Sequence, residues 1–156
     1  MTLRVQIPAF YWYFCTAIDP LFSLSAVYLD YFDRKTFLAH GFAESSPFGT
    51  ITPSHTFLMH QSGGLFAALA FMMFTMLRET NDMKVWTRFQ QALCLTDVAV
   101  MFSQWKALEA QNRLGLAKLR WEEGSNVVLV VIILLIRLGF VAGVGFKKRS
   151  KAGRRN

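Results

Sequence analysis

From Val127 to Ile136 the chain runs through ten consecutive aliphatic side chains without a polar atom among them. Such a run belongs either in the core of a large soluble protein or in a bilayer. At 156 residues the chain is one domain, and only 17% of its residues are charged, against about 25% in an ordinary soluble domain. The charges collect in loops and at the C-terminus, leaving apolar stretches between them, which is the distribution a bilayer requires.

Four segments approach the roughly 20 apolar residues of a spanning helix: about Ile7 to Leu29, Thr56 to Leu77, Val85 to Trp105 and Ser125 to Phe146. The third carries Arg88, Gln90, Gln91 and Asp97, so it reads as a buried helix shielded by the others. The expected fold is an all-α polytopic membrane protein, a four-transmembrane-helix bundle in one domain, residues 1–146, followed by a basic tail at 147–156. Of the connections, Asp30 to His55 holds Pro47, Gly49 and Pro53 and reads as a true loop, and Arg78 to Lys84 as a tight turn. Lys106 to Gly124 could form a short amphipathic interfacial helix through Leu108, Leu114, Leu116 and Leu119.

Arg4 is followed by no short apolar run with a small-residue cleavage site, so the first segment is expected to stay as a helix. The net charge of +7 leans on the tail residues Lys147, Lys148, Arg149, Lys151, Arg154 and Arg155. Beside an apolar run they are a topology signal and an anionic-lipid contact, not a nucleic-acid footprint. With the C-terminus inside, Lys and Arg divide ten inside to six outside, which puts both termini in the cytoplasm. The endoplasmic reticulum is the default membrane for an unprocessed multi-pass chain. Cys15 and Cys94 both lie in apolar segments and read as small hydrophobes. Small residues at Gly63, Gly64, Ala67 and Ala68, and at Gly139 and Gly143, would let helices approach closely.

The residues that carry chemistry are the ionisable ones inside the spans: Asp19, Asp97 and Arg137. At 1.5 Å of rise per residue they lie roughly 18, 16 and 14 Å from the cytoplasmic ends, in one layer. Arg137 needs a carboxylate beside it. The second acid is then surplus negative charge and a candidate proton donor, unless Arg137 bridges both and locks the bundle. A second polar layer lies nearer the other face, with His60, Gln61, Gln104, Trp121, Glu122, Glu123 and Asn126. There, a His across from a Glu could shuttle a proton. His40, His55 and His60 are too few and too scattered for a metal oxidase, and no phosphate loop, nucleophile motif or cofactor signature is present.

The opening Ile7-Pro8-Ala9-Phe10-Tyr11, with Ile18-Asp19-Pro20, Leu77-Arg78 before Trp86, Trp121 with Asn126 and Arg137, and the ending Gly143-Val144-Gly145, resembles a fungal family of small integral membrane proteins of unknown function. The resemblance covers Ile7 to Gly145 and implies four spans and, for some members, genes beside secondary-metabolite clusters. Asp19 stands where the family often has Glu, and Ser125 separates Gly124 from Asn126 where the pattern usually has them adjacent.

Two functions stay open. One is an isomerase or cyclase, independent of cofactors, that tailors a lipophilic metabolite. Asp19 or Asp97 would be its acid, Arg137 the tuning group and His60 with Glu122 or Glu123 a relay. Trp121, Asn126, Gln104 and Gln61 would contact the substrate, and Trp121, Phe14 and Phe66 could steady a cation. The other is a non-catalytic membrane protein that binds, transports or scaffolds. Its partners would be membrane lipids, a lipophilic small molecule, a second copy of the chain or other membrane enzymes.

Overall fold

Pro20 has no N–H, so an α-helix running through it leaves the carbonyl of Thr16, four residues earlier, without its partner. The first helical rod solves this by widening. In the computed structural model, which describes residues 7–80 and 82–146 (Leu116 by its backbone alone), α1 (Ala9–Tyr13) passes into a π-helical stretch, Phe14–Ile18, and then into α2 (Asp19–Phe32). The Asp19 N–H bonds back to the Phe14 carbonyl, the longer reach of a π turn. The orphaned Thr16 carbonyl accepts a hydrogen bond from Arg78 Nη2 at 2.6 Å. A gap left in one rod is thus filled by a side chain of the next.

The remaining elements are α3 (Arg34–Ala39), α4 (Pro53–Phe74), α5 (Met76–Glu79), α6 (Met83–Ala110), a single 3-10 turn at Leu116–Lys118 and α7 (Trp121–Val141). All regular structure among the described residues is helical. Three of the starts have a side-chain cap. Asp33 accepts from Thr36 N before α3, and Asp82 from Lys84 N before α6. Thr52 and His55 exchange reciprocal bonds around Pro53, a capping box closed by a histidine. At the far end of α7, Gly143 takes φ +74° and Val144 N bonds to Gly139 O at 2.9 Å, the glycine stop of a Schellman motif.

The rods run alternately up and down, α2 packing chiefly on α4 and α6 on α7. At the end where α1 and α6 begin, an apolar core joins both pairs: Tyr11, Phe14 and Cys15 with Met73, Leu77, Trp86, Leu93, Ile133 and Phe140. Close approach of α2 and α4 depends on Gly63, where an added Cβ would lie 2.6 Å from the Tyr31 ring and 3.1 Å from Asp30 Cβ.

Two rods, Pro53–Glu79 and Trp121–Val141, are long and apolar enough to cross a bilayer, and only 22% and 17% of their most apolar stretches are buried. Most of each stretch therefore lies on the surface of the chain. Leu65, Phe71, Leu95 and Leu135 are exposed while Thr16, Asp19, Gln90, Glu123 and Arg137 are buried.

Several expectations are corrected. The stretch from Asp30 to His55 is not all loop: it opens with the end of α2 and contains α3, because Asp33 caps a new helix. The interfacial helix expected between Lys106 and Gly124 is replaced. The third helix continues to Ala110, the fourth begins at Trp121, and only one 3-10 turn lies between. Asn112 (φ 54°) and Gly115 (φ 134°) break the chain there. The fourth helix ends at Val141 instead of Phe146. Gly139 does meet a neighbouring element, since a Cβ there would lie 3.0 Å from the Tyr11 hydroxyl, but Gly143 borders open space and serves as a helix stop. Arg4 and the six basic residues of the tail lie outside the described residues.

Candidate functional site

The π stretch delivers Asp19 as the first residue of α2, with its side chain 2% exposed. Opposite it, α7 presents Arg137 on the same face as Ile133 and Phe140, all buried. Arg137 Nη2 donates to both Asp19 oxygens, each at 2.8 Å. Its Nη1 donates to Asp97 Oδ1 of α6 at 2.5 Å and to the Leu93 carbonyl at 3.2 Å. One guanidinium therefore holds two carboxylates from two other helices. With Arg137 positive and both acids ionised, the group carries a formal charge of −1. The three side chains expected in one layer do meet, with Arg137 bridging both acids.

The second polar layer is assembled differently from expectation. His60 belongs to a cluster between α2 and α4. Its ring stacks on Tyr31 at 4.8 Å, Arg34 Nη1 lies 3.2 Å from its Nε2, and the Tyr31 hydroxyl donates to its carbonyl. Beside it Ser62 donates to the fully buried Asp30 at 2.8 Å. Glu123 is elsewhere, completely buried at the start of α7. It accepts from Arg113 Nη1 at 2.6 Å, from Arg120 Nε and Nη2 at 3.0 and 2.9 Å, and from the Arg120 N–H at 3.0 Å. Glu122 is exposed, 3.9 Å from Arg120 Nη1. The proposed relay from His60 to Glu122 or Glu123 is therefore not built, because α3 brings Arg34 to the histidine and the turn after α6 brings Arg113 to the glutamate.

The residues expected to contact a substrate also separate. Gln104 is buried, donates to the His40 carbonyl at 2.9 Å and accepts from Asn126 at 3.4 Å. Gln61 is exposed on α4. Trp121 is 82% exposed and lines an open groove of about 500 Å³ on the outer face of α7, with Arg120, Ser125, Val128, Leu129 and Ile132. Of the aromatics, Phe14 is buried in the apolar core and Phe66 half-buried on α4.

Sequence reasoning missed several partners. Arg120 Nη2 also holds the Ala39 carbonyl at 2.6 Å. Gln111, just past the end of α6, donates to Gly41 O and accepts from Ala43 N, so residues 39–43 are held by Gln111 and Arg120 together. The Arg78 bond to Thr16 was signalled by Pro20, which announces one orphan carbonyl four residues earlier. The other pairings join loop residues without periodicity and left no local signal.

Neither the curated proteins nor the solved structures include a match to this chain. A family described as a domain of unknown function (DUF7704) matches residues 4–147. That span covers the central triad, the Glu123 cluster and all of the helical rods, and the chain belongs to this family.

Proposed function

We propose that the protein is a four-span integral membrane protein, both termini cytoplasmic, that binds or scaffolds lipophilic molecules without chemically altering them. The observation that carries the reading is the state of Arg137. Its two terminal nitrogens engage both mid-helix acids, so the charges hold three helices in register instead of facing a reactant. The inversion of polarity, with acids and amides inside and Leu and Phe outside, supports the membrane reading. The groove on α7, apolar along Val128, Leu129 and Ile132 and ending at Trp121 and Arg120, has the form of a seat for an acyl chain with its polar end at the interface. An internal membrane such as the endoplasmic reticulum is the expected home.

One observation favours a second reading, the acid–base isomerase or cyclase. Asp97 Oδ2 has no hydrogen-bond partner, and two acids share one base. The deciding experiment is metabolite profiling of cells lacking the gene, complemented with wild type or Asp97→Asn at matched protein level. The binding reading expects Asp97→Asn to restore the wild-type profile. Accumulation of one precursor in both the deletion and the variant would overturn it in favour of chemistry at Asp97. Reporter tags at the C-terminus and in the segment between α3 and α4 test the topology: they should report opposite sides of the membrane.

A further inference from the structure

Six buried side-chain atoms among the described residues have no hydrogen-bond partner, and five of them lie along one strip. Trp86 Nε1, both amide atoms of Gln90, and Asp97 Oδ2 are on α6, and Arg137 Nε reaches the strip from α7. The α6 positions follow one another at intervals of four and seven, a single helical face. Arg137 is anchored to this face through the Leu93 carbonyl, one turn beyond Gln90. Trp86 is 1% and Gln90 0% exposed. Each such group left unpaired costs about 1–3 kcal/mol, and native proteins keep few of them. Five on one strip are a built feature.

The guest that satisfies them must both donate and accept, since the strip offers indole, amide and guanidinium N–H groups beside an amide carbonyl and a carboxylate oxygen. A cation would meet N–H donors and Arg137. An anion would meet the surplus carboxylate. A lipophilic ligand offers no donor or acceptor to side chains this deeply buried. Water matches this mixed set of donors and acceptors, since one molecule can serve two to four polar partners.

We propose that the buried face of α6 from Trp86 to Asp97 holds a short file of water molecules. This file is the route by which the Asp19–Arg137–Asp97 triad exchanges protons with the solution at the end of the bundle where α6 begins. From Gln90 to Asp97 the helix rises about 10 Å, a gap that a few hydrogen-bonded waters bridge. Intramembrane acids reached by such files are the elements of proton relays. The inference does not depend on what the α7 groove binds, nor on whether the triad performs chemistry.

The test is X-ray radiolytic labelling of the full chain in lipid nanodiscs in heavy-oxygen water, read residue by residue. Trp86, despite its 1% exposure, should take up the heavy oxygen at a rate approaching that of the exposed Trp121. Gln90→Met, close in shape but without the amide, should lower Trp86 labelling severalfold and leave Trp121 unchanged. A Trp86 that stays unlabelled, or one labelled equally in Gln90→Met, overturns the proposal. As a second measurement, infrared spectra after a jump into heavy water follow exchange at the triad, with Asp97→Asn assigning the bands. Trp86→Phe should slow that exchange severalfold, and an unchanged rate overturns the proton route.

Discussion

Among the described residues, two ion clusters are built around centres of opposite sign. At the centre, one guanidinium is shared by two carboxylates. At the start of α7, one carboxylate, Glu123, is shared by two guanidinia, Arg113 and Arg120. The central cluster joins α2, α6 and α7 across sequence separations of 118 and 40. The other spans separations of 10 and 3 and ties one turn to the helix it precedes. The first fixes how rods sit against one another; the second fixes how one rod begins. The two also differ in surroundings. Arg137 is 5% exposed, whereas the side chains of Arg113 and Arg120 keep 21% and 28%. Water can therefore compensate the two outer arginines when Glu123 is lost, but not the inner acids when Arg137 is lost.

The largest effect should come from Arg137→Met, which leaves two carboxylates buried without a cation. Removing one partner of a buried pair costs about 3–5 kcal/mol, to be read as lost thermal stability in detergent or nanodiscs. Adding Asp19→Asn and Asp97→Asn to Arg137→Met should recover a large part of that loss. If the triple variant is no more stable than Arg137→Met, the centre is not governed by its charge imbalance.

Glu123→Gln should come next, at about 1.5–3 kcal/mol for lost bonds to a charged group. Its signature should be local. Amide hydrogen exchange should rise in residues 39–43 and 111–124 and stay near wild type in the apolar core. A uniform rise across all rods would erase the distinction between the clusters. Within the central cluster, Asp19→Asn should cost more than Asp97→Asn. Arg137 reaches both oxygens of Asp19 but only one of Asp97. A reversed order in the same melting assay would relocate the anchor to α6.

The smallest effect belongs to Lys35 and Glu44, an ion pair 2.8 Å apart in open solvent. The bond raises the Lys35 pKa and lowers that of Glu44. The glutamate's contribution is present above its unfolded-state pKa and fades as pH falls through the depressed folded value. The lysine's is complete below its unfolded-state pKa and fades as pH rises through the elevated one. Since both side chains are solvated, Lys35→Gln should leave the melting temperature unchanged within error. A measurable drop would show that the segment between α3 and α4 is held more tightly than its exposure suggests.

How much of this was legible beforehand depended on range and periodicity. The long helices announce themselves by apolar runs. The central layer was legible because rise per residue is fixed, which sets three ionisable residues at similar depths, and because an arginine there needs a carboxylate beside it. What they would do on meeting was left between a lock and a proton donor, and the geometry has the bridged form. The His60–Glu relay failed because depth alone does not say which faces of two helices point at each other. His60 faces α2, while Glu123 faces the turn after α6. Gly139 and Gly143 share a helical spacing, and no local pattern distinguished the one that touches Tyr11 from the one that ends the helix. Gln90 and Asp97 made the third span read as a helix shielded on all sides, whereas α6 buries the face that carries them and leaves Leu95, Val98 and Phe102 exposed.

The bond from Arg78 to the Thr16 carbonyl has a consequence for how such chains can vary. Its acceptor is main chain, so no substitution at position 16 that preserves the helix can delete it. The need for it arises instead from Pro20, which withholds the N–H that would otherwise fill that carbonyl. Two positions far apart in the sequence are therefore bound into one inherited unit. A chain that exchanges the proline for a residue with an N–H is released from keeping the arginine. One that keeps the proline is free to replace the arginine only with another long donor. Among relatives aligned over these rods, a chain without a long donor at position 78 should also lack the proline at position 20.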